Sequence, residues 1–207
     1  TDPQIFRKQN DKLKNLHFLF IPVDKNIECY DVYKLKPAND LFYAMSHGVN
    51  RAILKKGKSD NRINFLNELI DKIKGIKYDF YGFENKEPIW GDDFYKALIN
   101  SKMGLNLSRG LPTKYYSSNR IASLMGNGIL TFIDKKTRLG DFFNKNEIIF
   151  YKNIRDLADK INFYKKNDKA RIKIATNGKK KYFQLFNEKV MTKYIIKKSL
   201  GENIKLF

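Results

Sequence analysis

The sequence predicts an α/β fold. We expect a single three-layer domain with a mostly parallel sheet covered by helices on both faces, carrying an N-terminal arm and C-terminal helices. Three observations predict it. From Asp40 onward, short apolar runs alternate with amphipathic segments about five times, which is the pattern of strands joined by helical crossovers. Pro37, Asn39 and Asp40 form a boundary signal just before the alternation starts. The 207 residues are 42% hydrophobic, enough for one sizeable core or one domain with an arm.

The elements follow in chain order. Residues 1–15 are polar and charged and read as an arm. "LHFLFIPVD" (Leu16–Asp24) is apolar, contains Pro22, and reads as a strand leaving into a turn, with His17 in its core-facing set. "LFYAMS" (Leu41–Ser46) is a short strand. "DNRINFLNELIDKIKG" (Asp60–Gly75) is an amphipathic helix, with Ile63, Leu66, Leu69, Ile70 and Ile73 on one face and Gly75 at the C-cap. "IKYDFYG" alternates as a strand does. "GDDFYKALINSK" is a short helix with acidic residues in the first turn, where the helix dipole favours them. "MGLNLS" is the next strand. "SSNRIASLMGNG" is a helix with Ser117 or Ser118 as N-cap and Gly126 or Gly128 as its stop. "ILTFID" is a strand, "TRLGDFF" a helical turn and "EIIFY" a strand. "NIRDLADKINFYKK" carries the stripe Ile154, Leu157, Ile161 and Tyr164, and the basic remainder to about Ser199 is helical.

Charge is the compositional outlier. There are 41 Lys+Arg against 22 Asp+Glu, a formal net charge of +19. Such a balance favours anionic partners: nucleic acid, anionic lipid or phosphorylated small molecules. Diffuse solubilising lysine also explains it. The lone Cys29 precludes an intramolecular disulfide and fits a reducing compartment. No apolar run reaches the ~18 residues that span a bilayer, and the N-terminus shows no signal-peptide pattern. Two His and one Cys cannot build a structural zinc site. No GxSxG motif is present, and Glu84 and Glu87 read as a solvated charged pair.

Ligands of open α/β sheets sit at the carboxyl ends of the strands, so chemistry is sought in the segments that follow strands. "SHGVNRAILKKGK" (Ser46–Lys58) offers His47, Arg51, Lys55 and Lys56 with two glycines, groups able to hold a pyrophosphate or to form an ordinary basic loop. "GFENKEPIWG" (Gly82–Gly91) offers Phe83 and Trp90, either able to stack on a nucleobase, with Trp90 also able to plug the packing beneath the loop. "RGLPTKYYSSNRIASLMGNG" (Arg109–Gly128) places Ser117, Ser118 and Asn119 at a helix start. The first amides there lack internal partners and the dipole is positive, so an anion is accommodated. Arg109, Lys114 and Arg120 add charge and bidentate donors.

From "INSKMGLNLSRG" through "YYSSNRIASLMGNGILTFIDKKTRLGDFF" to "NEIIFYKNIRDLADKINFYKKNDKARIKIATNGKKKY" the chain resembles the C-terminal half of GT-B glycosyltransferases, most nearly the group-1 and spore-maturation-like branch. "FLFIPVDKNIE" is similar to the inter-domain crossing of those enzymes. The resemblance implies a Rossmann-like domain over 40–207, preceded by an arm and inter-domain linker over 1–39, and another such domain upstream.

It further implies that this half holds a nucleotide-sugar donor, with no cofactor and no obligatory metal. Arg51, Lys55, Lys56, Arg62, Arg109 and Arg120 would meet the diphosphate, together with the amides of Ser117, Ser118 and Asn119. His47, Trp90, Tyr115 and Ser123 are the candidates for sugar or nucleoside contacts. Many retaining members carry two glutamates where this chain has Tyr115 and Ser123, and no catalytic residue is assigned. The resemblance also implies transfer to a glycan or lipid-linked acceptor in cell-surface polysaccharide synthesis, and a cytoplasmic location with peripheral contact to an anionic membrane. The alternative reading is a basic nucleic-acid-binding α/β module without catalysis.

Overall fold

The computed structural model describes residues 3, 4, 8, 12, 16–46, 53–54, 58–59, 61–108 and 111–204. Five strands form one parallel sheet: β1 (Asn39–Ala44), β2 (Tyr78–Tyr81), β3 (Ser101–Asn106), β4 (Leu130–Asp134) and β5 (Ile149–Tyr151). Their spatial order is β2-β1-β3-β4-β5. The helices are α1 (Asn61–Lys72), α2 (Gly91–Ile99), α3 (Asn119–Gly126), α4 (Ile154–Lys166), α5 (Asp168–Phe186) and α6 (Glu188–Ser199). A two-residue antiparallel ladder, Ile53–Leu54 against Lys58–Ser59, lies in the crossover after β1.

Side chains along a strand alternate between faces, and here both faces are apolar. Leu41, Tyr43, Met103, Leu105, Phe132 and Tyr151 point to one layer, formed by Leu66 and Leu69 of α1 and Leu157 and Ile161 of α4. Phe42 and Ala44 point the other way, onto Leu98 of α2 and Leu124 of α3. Gly104 lies opposite Leu124. A Cβ at Gly104 would sit 2.3 Å from Leu124 Cδ2, so its bare backbone lets α3 rest directly on the sheet. Helix α3 stops where the sequence predicts: Asn127 is the C-cap and Gly128 takes the left-handed conformation at φ +73°.

Three expectations need correction. Leu16–Asp24 is not a strand; among the described residues its only ladder contact is an isolated bridge between Val23 and Asn187. The run is apolar because it packs through aromatic rings onto the end of α5, with Phe20 fully buried and stacked on Phe186 at 4.1 Å between ring centroids. His17 is exposed, since the segment turns only some of its side chains inward. Phe83, a candidate for base stacking, is core, 2% exposed and packed edge-on against Phe80.

Asp40 anchors the start of β1. It is 4% exposed, accepts from the Lys77 amide at 2.9 Å, and pairs with Lys165 at 3.0 Å and Lys102 at 3.5 Å. Burial alone would raise its carboxyl, but the Lys77 amide and the two ammoniums outweigh it and hold the group below the usual carboxylate range. A depressed folded-state pKa contributes stability above the unfolded value and loses it as pH falls through the folded one. Asp40→Asn should therefore cost about 1–3 kcal/mol at neutral pH. In urea melts the gap from the parent protein should narrow below roughly pH 4; a gap that stayed constant with pH would refute this account.

Candidate functional site

In the order β2-β1-β3-β4-β5 the chain leaves β1 toward one edge and returns to β3 on the other side. The crevice at the carboxyl ends of β1 and β3 is then the switch point where open α/β sheets hold ligands. A cleft of about 440 Å³ opens there. Its walls are Ala44–Ser46 at the end of β1, Ile89–Gly91 with Phe94 and Tyr95 at the start of α2, and Ser118, Asn119, Arg120 and Ser123 at the start of α3.

Arg120 is pinned at the cleft floor. Its Nε donates to the Ala44 carbonyl at 2.9 Å, and its Nη1 to the Leu107 carbonyl at 3.0 Å and to Asn106 Oδ1 at 3.4 Å. The guanidinium carbon lies 4.7 Å from the Tyr43 ring centroid, within cation–π range. One side chain thus ties the ends of β1 and β3 together and fixes a permanent positive charge where they diverge.

Asn106 ends β3 and is 1% exposed. Its Oδ1 also accepts from Ser118 Oγ at 3.0 Å. That bond turns the Ser118 hydroxyl toward the end of β3. Ser118 sits at the N-cap with extended backbone, yet its side chain caps none of the α3 amides. By contrast, Asn153 caps α4 and Asn187 caps α6 through their side chains. The first turn of α3 therefore meets the cleft with its amides uncapped by the Ser118 side chain, though the Ile121 amide donates to the Ser118 carbonyl at 3.1 Å, and with its dipole positive. Among the described residues Asn106 Nδ2 is a buried donor with no hydrogen-bond partner, a state proteins rarely leave unsatisfied.

A buried carboxylate stands behind the α2 wall. Glu28 is 6% exposed; it accepts from the Asp24 amide at 2.9 Å and from Tyr95 Oη at 3.4 Å. Burial pushes its carboxyl up, against the pull of those two donors.

The sequence-predicted residues divide into three groups. Ser118, Asn119, Arg120, Ser123 and Trp90 converge on the cleft, with Trp90 at the rim and 65% exposed. Ser117, Tyr115 and Arg62 do not line it. Ser117 Oγ accepts from the Ile21 amide at 3.1 Å. Tyr115, at φ +57°, donates to Asp141 at 2.6 Å and packs its ring on Phe142 and Phe18. That hydrogen bond is the main reason its hydroxyl is pushed up. Arg62 is 5% exposed, with Nη1 at 3.5 Å from Tyr43 Oη. His47, Arg51, Lys55, Lys56 and Arg109 lie outside the described residues.

Sequence reasoning missed Asn106, Tyr95 and Glu28. Asn106 was detectable as the one amide inside the apolar run "MGLNLS". Nothing local marks Tyr95 or Glu28, since they meet across 67 residues of chain.

A family model described as glycosyl transferase-like matches residues 61–194. No curated protein sequence matches the chain. Among solved structures, S. aureus TarM in complex with fondaparinux, alpha-GlcNAc-glycerol and UDP aligns at a TM-score of 0.64 and 17% identity, covering 97% of this chain and 42% of that one. Sucrose-phosphate synthase from Thermosynechococcus elongatus aligns at 0.59 and 11% identity, covering 97% and 57%. Anabaena HepE in complex with UDP-glucose aligns at 0.51 and 14% identity, covering 97% and 54%. The chain spans about half the length of each of these three structures.

Proposed function

The chain belongs to the glycosyl transferase-like family, and from that premise we propose that it is the donor-binding half of a GT-B glycosyltransferase. In this reading the switch-point cleft takes a nucleotide-sugar, with the diphosphate on the α3 N-terminus. The observation that carries the reading is the pairing of that helix start with Arg120, fixed by three hydrogen bonds at the ends of β1 and β3.

The chemistry follows from charge. Glycosyl transfer breaks the bond between the sugar's anomeric carbon and the diphosphate oxygen, so negative charge develops on the leaving group. Donors already oriented at that position stabilise the charge without reorganising. The α3 amides and the Arg120 guanidinium supply such donors from this chain's own groups, so the reading requires no metal. Trp90, at the rim, offers a ring face for the nucleobase. The acceptor, a glycan or a lipid-linked sugar, would approach from the open side of the cleft, which a second domain would complete. Two of the solved neighbours hold UDP or UDP-glucose, which makes UDP the first ligand to try. No helix among the described residues is long and apolar enough to cross a membrane. The proposed setting is cytoplasmic, with the basic α5–α6 surface available to an anionic membrane.

The test is UDP titration of this chain by calorimetry and thermal melting. Ligand at a hundred times its Kd should add about 2.7 kcal/mol of stability. No heat and no melting shift at millimolar UDP, or at millimolar UDP-glucose, would sink the proposal.

A further inference from the structure

Arg120 is held by neutral partners. Nε and Nη1 donate to the Ala44 and Leu107 carbonyls and to Asn106 Oδ1, and among the described residues no carboxylate pairs with the guanidinium. Nη2 makes no hydrogen bond among those residues. The side chain is thus fixed at one end, while its charge stays uncompensated and its other end uncommitted. Binding an oxyanion requires both conditions.

The fold explains how Asn106 becomes one of those partners. Gly104 and Asn106 are two positions apart on β3, so they share the sheet face on which α3 rests. The bare backbone at Gly104 lets α3 come close, with Leu124 against it. That approach sets the first turn of α3 over Asn106. Ser118 Oγ reaches Asn106 Oδ1 at 3.0 Å, and Arg120 Nη1 reaches it at 3.4 Å.

An amide is an unexpected group for that place. Arg120 has no acceptor to offer, so the Asn106 oxygen must face it and Nδ2 must turn away. There Nδ2 is buried without a hydrogen-bond partner, a state proteins rarely leave unsatisfied. An aspartate of the same shape would accept the same two hydrogen bonds, carry no idle donor and pair with the guanidinium. It would also cancel the charge. The amide gives up a hydrogen bond and keeps Arg120 cationic toward the cleft. Local rules of this kind are broken mainly at functional sites.

Resting on the donor-binding reading above, we propose that Asn106 is a positioning residue that fixes Arg120 through a neutral contact, so that the cleft keeps an uncompensated cation for a diphosphate. Asn106 is 1% exposed and does not line the cleft. It touches no ligand and acts through Arg120.

The experiment is calorimetric UDP titration with thermal melting on Asn106→Asp, Asn106→Ala, Arg120→Ala and the Asn106→Ala/Arg120→Ala double variant of this chain. Asn106→Asp keeps the shape and sets a negative charge beside Arg120. It should weaken UDP binding by about 10- to 100-fold, the range for one charge-assisted hydrogen bond lost. Its melting temperature should stay at or above that of the parent protein, whereas a merely structural role would lower both together. Asn106→Ala keeps the charge and loosens the side chain, so UDP binding should weaken by about three- to tenfold. In the Arg120→Ala background the same substitution should change affinity less than about twofold, because nothing is left to position. Undiminished UDP affinity in Asn106→Asp overturns the inference. So does a loss of affinity in Asn106→Asp that comes with a lower melting temperature, or an Asn106→Ala loss that persists in full without Arg120. A parent protein that binds no UDP overturns the donor-binding reading instead.

Discussion

Replacing Arg120 with alanine is expected to weaken UDP binding by about 30- to 150-fold, the equivalent of roughly 2–3 kcal/mol for charge-assisted hydrogen bonds lost from a confined site. Two effects combine. The substitution removes a permanent charge from the floor of the cleft, and it frees the parts that charge holds together. The Ala44 and Leu107 carbonyls and Asn106 Oδ1 all lose a donor. The ends of β1 and β3 then lose this cross-link at the point where α3 starts, so the amides that remain are less well aimed. Arg120→Lys separates the two effects. An ammonium restores the charge but cannot reach two strand ends with a planar fork. It should recover less than half of the lost binding free energy. Calorimetric titration at low and moderate salt, with circular dichroism to confirm folding, measures both variants. UDP affinity in Arg120→Ala equal to that of the parent protein would place the diphosphate elsewhere.

Legibility in the sequence followed physical locality. The strands from β1 to β5 and the helices between them were readable because both faces of the sheet are apolar and each helix buries a stripe. Leu16–Asp24 was misread because a packed aromatic segment and a buried strand share one binary pattern; only its partners on α5 distinguish them. Within the site, the α3 start was legible through Ser118, Asn119 and Arg120, which are contiguous. The use made of Ser118 was not legible, because its hydroxyl turns to Asn106 on another element rather than to its own helix. Tyr115 and Ser117 sit in the same quoted stretch yet serve the packing of the preceding segment, Tyr115 against Phe18 and Phe142 and Ser117 beneath Ile21. Proximity in sequence to a phosphate-binding helix does not put a side chain into its cleft.

The second large effect concerns that preceding segment. Phe20→Ala should destabilise the chain by about 3–5 kcal/mol, the usual cost of truncating a buried aromatic. Phe20 is fully buried, with Phe186 at 4.1 Å, Tyr182 at 5.6 Å and Phe142 at 5.9 Å between ring centroids. Rings packed on several sides cannot all collapse into the space that one ring leaves. The urea midpoint should fall with little change in slope, as for a loss of stability in an unchanged two-state transition.

The consequence should also reach the site. The Ile21 amide donates to Ser117 at 3.1 Å, and Tyr182 donates to the Ile21 carbonyl at 2.8 Å. Phe20 therefore holds in register the strand of chain that braces the residue before the α3 N-cap. Leu157→Ala is the matched control. Leu157 is equally buried but lies in the other layer, on α4, and should cost about 2–5 kcal/mol. UDP affinity, measured well below both melting temperatures, should fall severalfold in Phe20→Ala and stay unchanged in Leu157→Ala. Equal losses in the two variants would show that affinity tracks global stability, and that the Phe20 segment has no particular hold on the cleft.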